Sequence, residues 1–600
     1  MCGIFALLNY CKITPTILEN FDKGGSRGPE YSTINQYDKI IMGFHRLAIN
    51  GLNSQSNQPF NQDGIILICN GEIYNFRELA KLNNITMTTD SDCEIILHMY
   101  RLYGIEYTLN CLDGVFAFVL YDTNNKQVYI ARDPYGVRPL YYFMNYENKF
   151  GLASEQKCLY NLCRYKHLIL QFIPGQYATI DLKDEFIYLK DNSRYTHFPC
   201  NEIDYFSNGI SNDIVYYIGE AVRKRVEGTT DRPIACLLSG GLDSSLICAL
   251  VNQYYNNPEH PLETYSIGLE GSEDLKYAKI VADYLQTDHH EIIISEKDFF
   301  DAIPEVILVI ESYDTTTVRA SVGNYLIAKY ISKNSAAKVI FNGDGADELM
   351  GGYLYFHNAP NASEFDRECK RLLRDIAFFD VLRSDRSISS NGLEPRTPFL
   401  DRKWVEFYLS ISKSLRYHSG NGQCEKYLIR NAFNEIWPDI LPRSILWRTK
   451  EAFSDGVSSL TRSWFTIIQE NIERLCDTNP EFAKTLEQNI IIYKNLKLIN
   501  PPTTIEQSYY RYLYNKSYYG TDNIIPYFWM PRYVDTNDAS ARTLNIYNRL
   551  NTNTNTNTNT NTNTNTNTNT ETNLENNNIM SVNLNVISNN TVELTININI

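Results

Sequence analysis

Two stretches of this chain carry residues whose types and spacing can do chemistry. The first is Leu237-Leu238-Ser239-Gly240-Gly241-Leu242-Asp243-Ser244-Ser245. An apolar run from Ile234 to Leu238 leads in and reads as a buried parallel strand; an apolar-periodic run from Leu246 to Tyr255 leads out and reads as a helix. Strand, glycine turn and helix form a grip for phosphate, because the helix N-terminus offers unpaired N–H groups and glycines let a ligand reach the backbone. The Walker A spacing is absent. Asp243 repels phosphate unless a cation stands between, so the loop implies Mg²⁺. The alternative is an ordinary turn rich in small residues. The second stretch is Met1-Cys2-Gly3-Ile4. Loss of Met1 would leave thiol and α-amine on one residue, and an amine with a pKa of about 7.7–8.0 can take the thiol proton at neutral pH. The alternative is a buried cysteine beside the initiator.

Two further runs add charge. Lys338 to Phe341 reads as a strand ending in Asn342-Gly343-Asp344-Gly345-Ala346-Asp347-Glu348. Three carboxylates within five residues repel one another unless they meet cations or donors; a capped helix start with solvated acids is the alternative. Arg448-Thr449-Lys450 places Lys450 in a loop, where a lysine beside departing diphosphate would neutralise developing charge. An ordinary solvated lysine is the alternative there. Ser239 to Ser245 resembles the pyrophosphate loop of ATP pyrophosphatases. Strands alternating with helices indicate a doubly wound parallel sheet, with ligands at the carboxyl ends of its strands. Leu238 and Ile267 end the first two, so their backbone is expected to hold adenine.

Around Cys2 stand Phe44-His45-Arg46-Leu47-Ala48-Ile49-Asn50, Asn70-Gly71-Glu72, Ser91-Asp92-Cys93, Asp113-Gly114 and Arg132-Asp133-Pro134-Tyr135-Gly136-Val137-Arg138. Together they resemble the class II glutamine amidotransferase domain, an N-terminal-nucleophile (Ntn) hydrolase with an αββα sandwich. The resemblance implies that Cys2 forms a thioester and releases ammonia. It implies that Arg46 holds the glutamine carboxylate, with Leu47, Ala48, Ile49 and Asn50 beside it, and that Asp92 and Glu72 hold the ammonium. The Asn70 amide and the Gly71 N–H match the oxyanion hole, where each donor is typically worth about 2.7–4 kcal/mol. Read residue by residue, Arg46 can equally be a surface cation, Asp92 a helix cap and Asn70-Gly71 a hairpin turn. Glu30 stands where the family has aspartate after Arg-Gly-Pro.

Over 2–548 the chain resembles the glutamine-hydrolysing asparagine synthetase family. The resemblance implies adenylation of aspartate on its β-carboxylate and displacement of AMP by ammonia. It implies ATP contacts from Leu238, Ser239, Gly240, Gly241, Asp243, Ser244, Ile267, Asn342 and Gly343. Aspartate is assigned to Thr316, Thr317 and Arg319, Mg²⁺ to Asp243 and Asp347, and catalysis to Cys2, Asn70, Gly71, Asp344 and Lys450. Asp344 replaces a glutamate and Asn342 a serine in the family pattern. The family also suggests a homodimer. An enzyme acting on another carboxylate, as β-lactam synthetases do, and a ligand-binding regulatory protein are the competing readings.

Composition bounds these readings. Among 600 residues 43% are apolar, enough to bury substantial cores, and the net charge of −15 argues against nucleic acid as a partner. Thirteen cysteines without a Cys-x-x-Cys pair fit reduced thiols. A start without a basic n-region and the lack of a long apolar run make the expected location cytoplasmic and membrane-free. The expected fold class is mixed α/β and α+β: a sandwich over 2–190, then a parallel-sheet domain with a helical C-terminal part over 205–548. Asn551 to Thr570 alternates Asn and Thr and reads as a linker over 549–573. The tail, 574–600, alternates with period two near its end and suits either a hairpin docking on a partner or a merely sticky tail.

Overall fold

Alternation with period two builds the first half. In the computed structural model, β1 (Gly3–Leu8), β2 (Tyr31–Tyr37), β3 (Ile40–Arg46), β4 (Phe60–Gln62), β5 (Ile65–Ile73), β6 (Gly114–Asp122), β7 (Gln127–Arg132), β8 (Tyr141–Met144), β9 (Phe150–Ala153), β10 (Leu170–Gln171), β11 (Gln176–Asp181) and β12 (Tyr188–Arg194) follow in order. They form two six-stranded antiparallel sheets, β10-β8-β9-β1-β3-β2 and β12-β11-β7-β6-β5-β4. Ile4, Ala6 and Leu8 of β1 and Ile40, Met42 and Phe44 of β3 face Ile66, Ile68, Val119 and Ile130 in a core between the sheets. The intervening residues point outward: Phe5 and Leu7 pack with Ile17 and Phe21 of the helix Pro15–Asp22, while Leu67 and Phe118 pack with Ile96 and Met99 of the helix Ile95–Cys111. Helix, sheet, sheet, helix is thus the layering, as the αββα expectation required. That last helix is interrupted at Gly104, whose φ of 76° breaks the turn, and runs on to Cys111.

The second half is built on a parallel sheet of β13 (Ile234–Leu237), β14 (Glu263–Gly268), β15 (Asp288–Ile293), β16 (Val339–Phe341) and β17 (Glu394–Arg396), in the order β15-β14-β13-β16-β17. Ile234 and Cys236 face one core and Ala235 another, so both faces are covered by helices. The strand order reverses between β13 and β16, which is where doubly wound sheets open a crevice at their carboxyl ends. The glycine loop after β13 and the acidic turn after β16 both lie there.

The two halves share a core, in which Phe5, Leu7 and Tyr141 join Tyr265, Ile307, Val322 and Trp464. The structure describes residues 1–182, 188–199, 202–203, 209–255, 257, 260–450, 453–459 and 462–547, and the strands 582–588 and 591–596. Residues 1–548 pack as one compact unit and 549–600 as a second. The Asn-Thr repeat lies outside the described residues. In the second unit β18 (Val582–Ser588) pairs antiparallel with β19 (Thr591–Ile596), the hairpin that the alternation suggested.

The helix Thr315–Asn334 places the residues of the aspartate assignment on different faces. Its Thr316, Ala320, Asn324 and Ile327 line the crevice, at the three- and four-residue spacing of one helix face. Thr317 and Arg319 fall on other faces. Thr317 N–H and Oγ1 both donate to Asp314, at 2.9 and 2.8 Å, and so close the helix N-terminus. Arg319 is buried in a double fork, 2.8 and 2.6 Å from Glu506 and 2.8 Å twice from Asp538. It ties this helix to the helix Ile505–Tyr518 and to the segment beyond. Removing it strands two carboxylates. Arg319→Met is expected to destabilise the unit by about 3–5 kcal/mol, read by thermal unfolding, with the KM for aspartate unchanged. A raised KM at unchanged stability would contradict this.

Candidate active sites

The crevice at the sheet's switch point gathers most of the residues that the sequence singled out. Leu238, Ser239, Gly241, Asp243, Ser244, Ile267, Thr316, Asn342, Gly343, Asp344, Asp347 and Lys450 line it. Gly240 does not: its φ is 69°, and a Cβ there would sit 2.4 Å from the backbone of Tyr277 and Ala278, so it makes the turn against the helix Glu273–Leu285. Ser239 and Ser244 hydroxyls bond at 2.9 Å and brace the loop at the start of the helix Leu242–Tyr254. The facing turn comes so close that a Cβ on Gly343 would lie 2.9 Å from Asp243 and Ser244.

Two carboxylates and two ammonium groups meet between these loops. Lys426 Nζ lies 2.5 Å from both Asp243 Oδ2 and Asp347 Oδ1. Lys450 Nζ lies 2.7 Å from Asp347 Oδ2 and 3.6 Å from Asp243 Oδ2. Burial works against ionising Asp347, but Lys426 and Lys450 outweigh it and hold the carboxyl well below the usual range. Burial likewise opposes the charge on Lys450, and Asp347 and Asp243 raise it regardless. Asp243 Oδ1 is buried without a hydrogen-bond partner among the described residues. Sequence analysis did not single out Lys426. It sits at the N-terminal cap of the helix Tyr427–Ile436 with φ 56°, and nothing in periodicity signals a cap lysine turned inward.

Asp344 is held by a residue that the sequence did not single out. Arg383 Nη2 donates to Asp344 Oδ1 at 2.8 Å and to Asp380 Oδ1 at 3.0 Å, leaving Asp344 Oδ2 buried and without a partner among the described residues. Asn342 Nδ2 donates to Ser384 Oγ at 2.7 Å. Arg383, Ser384 and Asp380 belong to the helix Asp380–Ser389. Tyr353 donates to Glu348 at the floor of the crevice, where burial together with Asp380 and Asp347 raises the Glu348 carboxyl well above its usual value.

The second constellation lies at the end of β1. The Cys2 thiol faces Leu47 O at 3.6 Å, and burial pushes it up to about 11. Met1 is fully buried, its ammonium donates to Leu393 O at 3.3 Å, and burial pushes that amine down to about 5. On β5, Asn70 is 1% exposed and neither of its amide atoms has a partner among the described residues. Gly71 packs so tightly that a Cβ would meet Val115 O at 2.6 Å. Arg46 is turned into the loop that follows it: it donates to Asn53 O at 3.0 Å, Asn57 Oδ1 at 2.7 Å, Asn50 O at 3.3 Å and Gly51 O. Asn50 donates to Glu72 at 3.1 Å, and Asp92 accepts from Ile73 N–H at 2.5 Å. Burial raises the carboxyls of both acids, Asp92 to about 6. Glu30 accepts from Ala48 N–H at 2.7 Å, so its added methylene reaches the same loop, with Leu47 and Ile49 buried on either side.

Comparison with known proteins agrees with these two constellations. Residues 1–181 match the glutamine amidotransferase domain, and residues 216–367 and 358–495 match asparagine synthase. The asparagine synthetase (glutamine-hydrolyzing) of Gallus gallus is 41% identical over 572 residues, covering 91% of this chain and 99% of that protein. Those of Bos taurus and Homo sapiens are 40% identical over 580 residues and 39% over 574, each with 91% of this chain and 99% of the relative covered. On that identity and coverage the chain belongs to the family of glutamine-hydrolysing asparagine synthetases.

Proposed function

We propose that this chain converts L-aspartate, L-glutamine, ATP and water into L-asparagine, L-glutamate, AMP and diphosphate through a β-aspartyl-AMP intermediate. The observation that carries the ATP end is the pair Asp243–Asp347, straddled by Lys426 and Lys450 between two glycine-bearing loops at the switch point. Adenine lies against Leu238 and Ile267, and the phosphates meet Ser239, Gly241, Ser244, Asn342 and Gly343. The β-carboxylate of aspartate, near Thr316, attacks the α-phosphorus, and the two lysines neutralise the departing diphosphate. Two facing carboxylates, one with a buried unpartnered oxygen, suit Mg²⁺, which takes one or two carboxylates together with phosphate oxygens. When bound it would offset phosphate charge there. Ammonia attacks the acyl carbon, AMP leaves, and Asp344 Oδ2, free of partners on its side, takes the proton.

At the other end the chemistry requires loss of Met1. With it in place the thiol stays protonated and the amine belongs to the preceding residue. Once Met1 is gone, the Cys2 amine accepts the thiol proton and passes it to the ammonia that leaves glutamine. The unpartnered Asn70 amide and the Gly71 N–H take the oxyanion. Asp92 and Glu72 receive the ammonium of glutamine, and Arg46 exchanges loop carbonyls for its carboxylate. Ammonia in water becomes ammonium and loses its lone pair, so a closed passage to the acyl adenylate belongs to this reading. No helix among the described residues is long and apolar enough to cross a membrane, and the described cysteines are free thiols; both support a cytoplasmic enzyme.

Two measurements test these assignments. Cys2→Ala is expected to abolish asparagine formation from glutamine while ammonium salts still support it with ATP and aspartate. Loss with both nitrogen sources, or with neither, would overturn the two-site assignment. The second follows from Asp92. Its raised carboxyl is ionised above about pH 6 and protonated below, so ammonium binding is present at neutral pH and fades as pH falls through that value. The KM for glutamine is therefore expected to rise below about pH 6, and Asp92→Asn is expected to show a high KM without that rise. An identical pH slope in both proteins would assign the titration elsewhere.

A further inference from the structure

One arginine ties the Cys2 backbone to the helix Asp380–Ser389 on the far side of the unit's sequence. Arg27 Nε donates to Cys2 O at 3.0 Å. Its two terminal nitrogens form a fork with Asp385, Nη1 to Oδ2 at 2.7 Å and Nη2 to Oδ1 at 3.1 Å, and Nη1 also donates to Ser389 Oγ at 2.9 Å. The side chains of Arg27 and Asp385 are 0% and 2% exposed. Glu155 stands 3.5 Å away and itself pairs with Lys157 and Arg386, each at 2.8 Å. The preceding residues on the same helix, Arg383 and Ser384, bond Asp344 and Asn342 at the ATP end.

A long side chain that holds a carbonyl through Nε needs its guanidinium plane fixed. A bidentate carboxylate does this, because two parallel bonds remove rotation about the terminal carbon. A single acceptor such as Ser389 leaves the plane free to turn toward Glu155. The main chain of residue 2 carries both the thiol and, after loss of Met1, the amine, so freedom there spreads into both reacting groups. Displacement of a reacting group by about 1 Å can cost on the order of a hundredfold in rate.

We propose that Asp385 is a positioning residue for glutamine hydrolysis: supplied by the half that binds ATP, it locks Arg27, and Arg27 locks the backbone of Cys2. The glutaminase centre is complete only with this helix in place. The proposal rests on the reading of Cys2 as nucleophile and adds to it an interaction spanning 358 residues of sequence.

The test uses the full-length enzyme and reads three quantities: kcat and KM for glutamine hydrolysis, and ammonium-dependent asparagine formation. Asp385→Asn keeps the size and one acceptor but ends the charged fork. It is expected to lower the glutaminase kcat by about tenfold or more, as befits a lost hydrogen bond between charged groups. KM is expected to stay within about twofold, since Arg46 and Asp92 are untouched, and Asp385→Glu is expected to recover part of the kcat. Ser389→Ala, a milder change, is expected to lower kcat by about threefold on the same scale. If Asp385→Asn does not fold, Ser389→Ala and Asp385→Glu decide. An unchanged kcat overturns the proposal. So does an equal fall in ammonium-dependent synthesis, which would mark Asp385 as a residue of the fold at large. Cys2→Ala assayed alongside separates the two readings: residual glutaminase in that protein would instead overturn the nucleophile assignment.

Discussion

Charge buried between the two halves fixes how they meet. Arg138 reaches Glu394 at 3.3 Å; Arg396 reaches Glu394 at 2.8 Å and Glu72 at 3.3 Å; Arg232 reaches Glu30 at 2.6 Å; Arg386 reaches Glu155 at 2.8 Å and Glu311 at 3.2 Å. All but the Arg232 pair are nearly dry. Pairs like these gain little net stability, because desolvating the ions cancels much of their attraction. What they impose is register. An apolar interface tolerates sliding by an ångström, whereas a buried arginine that loses its carboxylate is left unpaired at a cost of several kcal/mol. Glu72, assigned to glutamine, and Arg27, on the Cys2 carbonyl, both belong to this lattice. The surroundings of Glu72 and of the Cys2 backbone are therefore shaped partly by residues more than three hundred positions away.

The ATP end uses charge in the opposite manner. There the carboxylates of Asp243 and Asp347 and the ammonium groups of Lys426 and Lys450 neutralise one another at a place where phosphates and a divalent cation would enter. Two carboxylates and two ammonium groups thus balance one another among the described residues. The glycines that bring the loops together, Gly343 above all, leave no room for a side chain between them.

Most of the fold could be read from periodicity and from two glycine loops, because strand alternation and loop chemistry are local properties. Asp243, Asp347 and Lys450 drew attention for the same reason, and the structure brings them together in the crevice; Asn70 was marked by the family resemblance alone. That Thr317 and Arg319 lie on other helix faces than Thr316 was not legible, because a motif does not state which face its residues occupy; the face follows from what packs on the helix, and Glu506 and Asp538 lie far along the chain. Lys426, Arg383 and Asp385 were missed because single charged residues on helices carry no signal until the partner is in view. Gly240 marked a real turn, and the close approach of the helix Glu273–Leu285 that requires a glycine there was not legible.

A closed passage between the two centres hands nitrogen from one to the other without its meeting solvent. Its most direct test feeds amide-¹⁵N-labelled glutamine together with an excess of unlabelled ammonium, at a pH where free ammonia can also react. Asparagine is expected to carry label in nearly the proportion of glutamine consumed. Label diluted to the ratio of the bulk ammonium pool would show that the nitrogen leaves the protein between the two steps, and would contradict it.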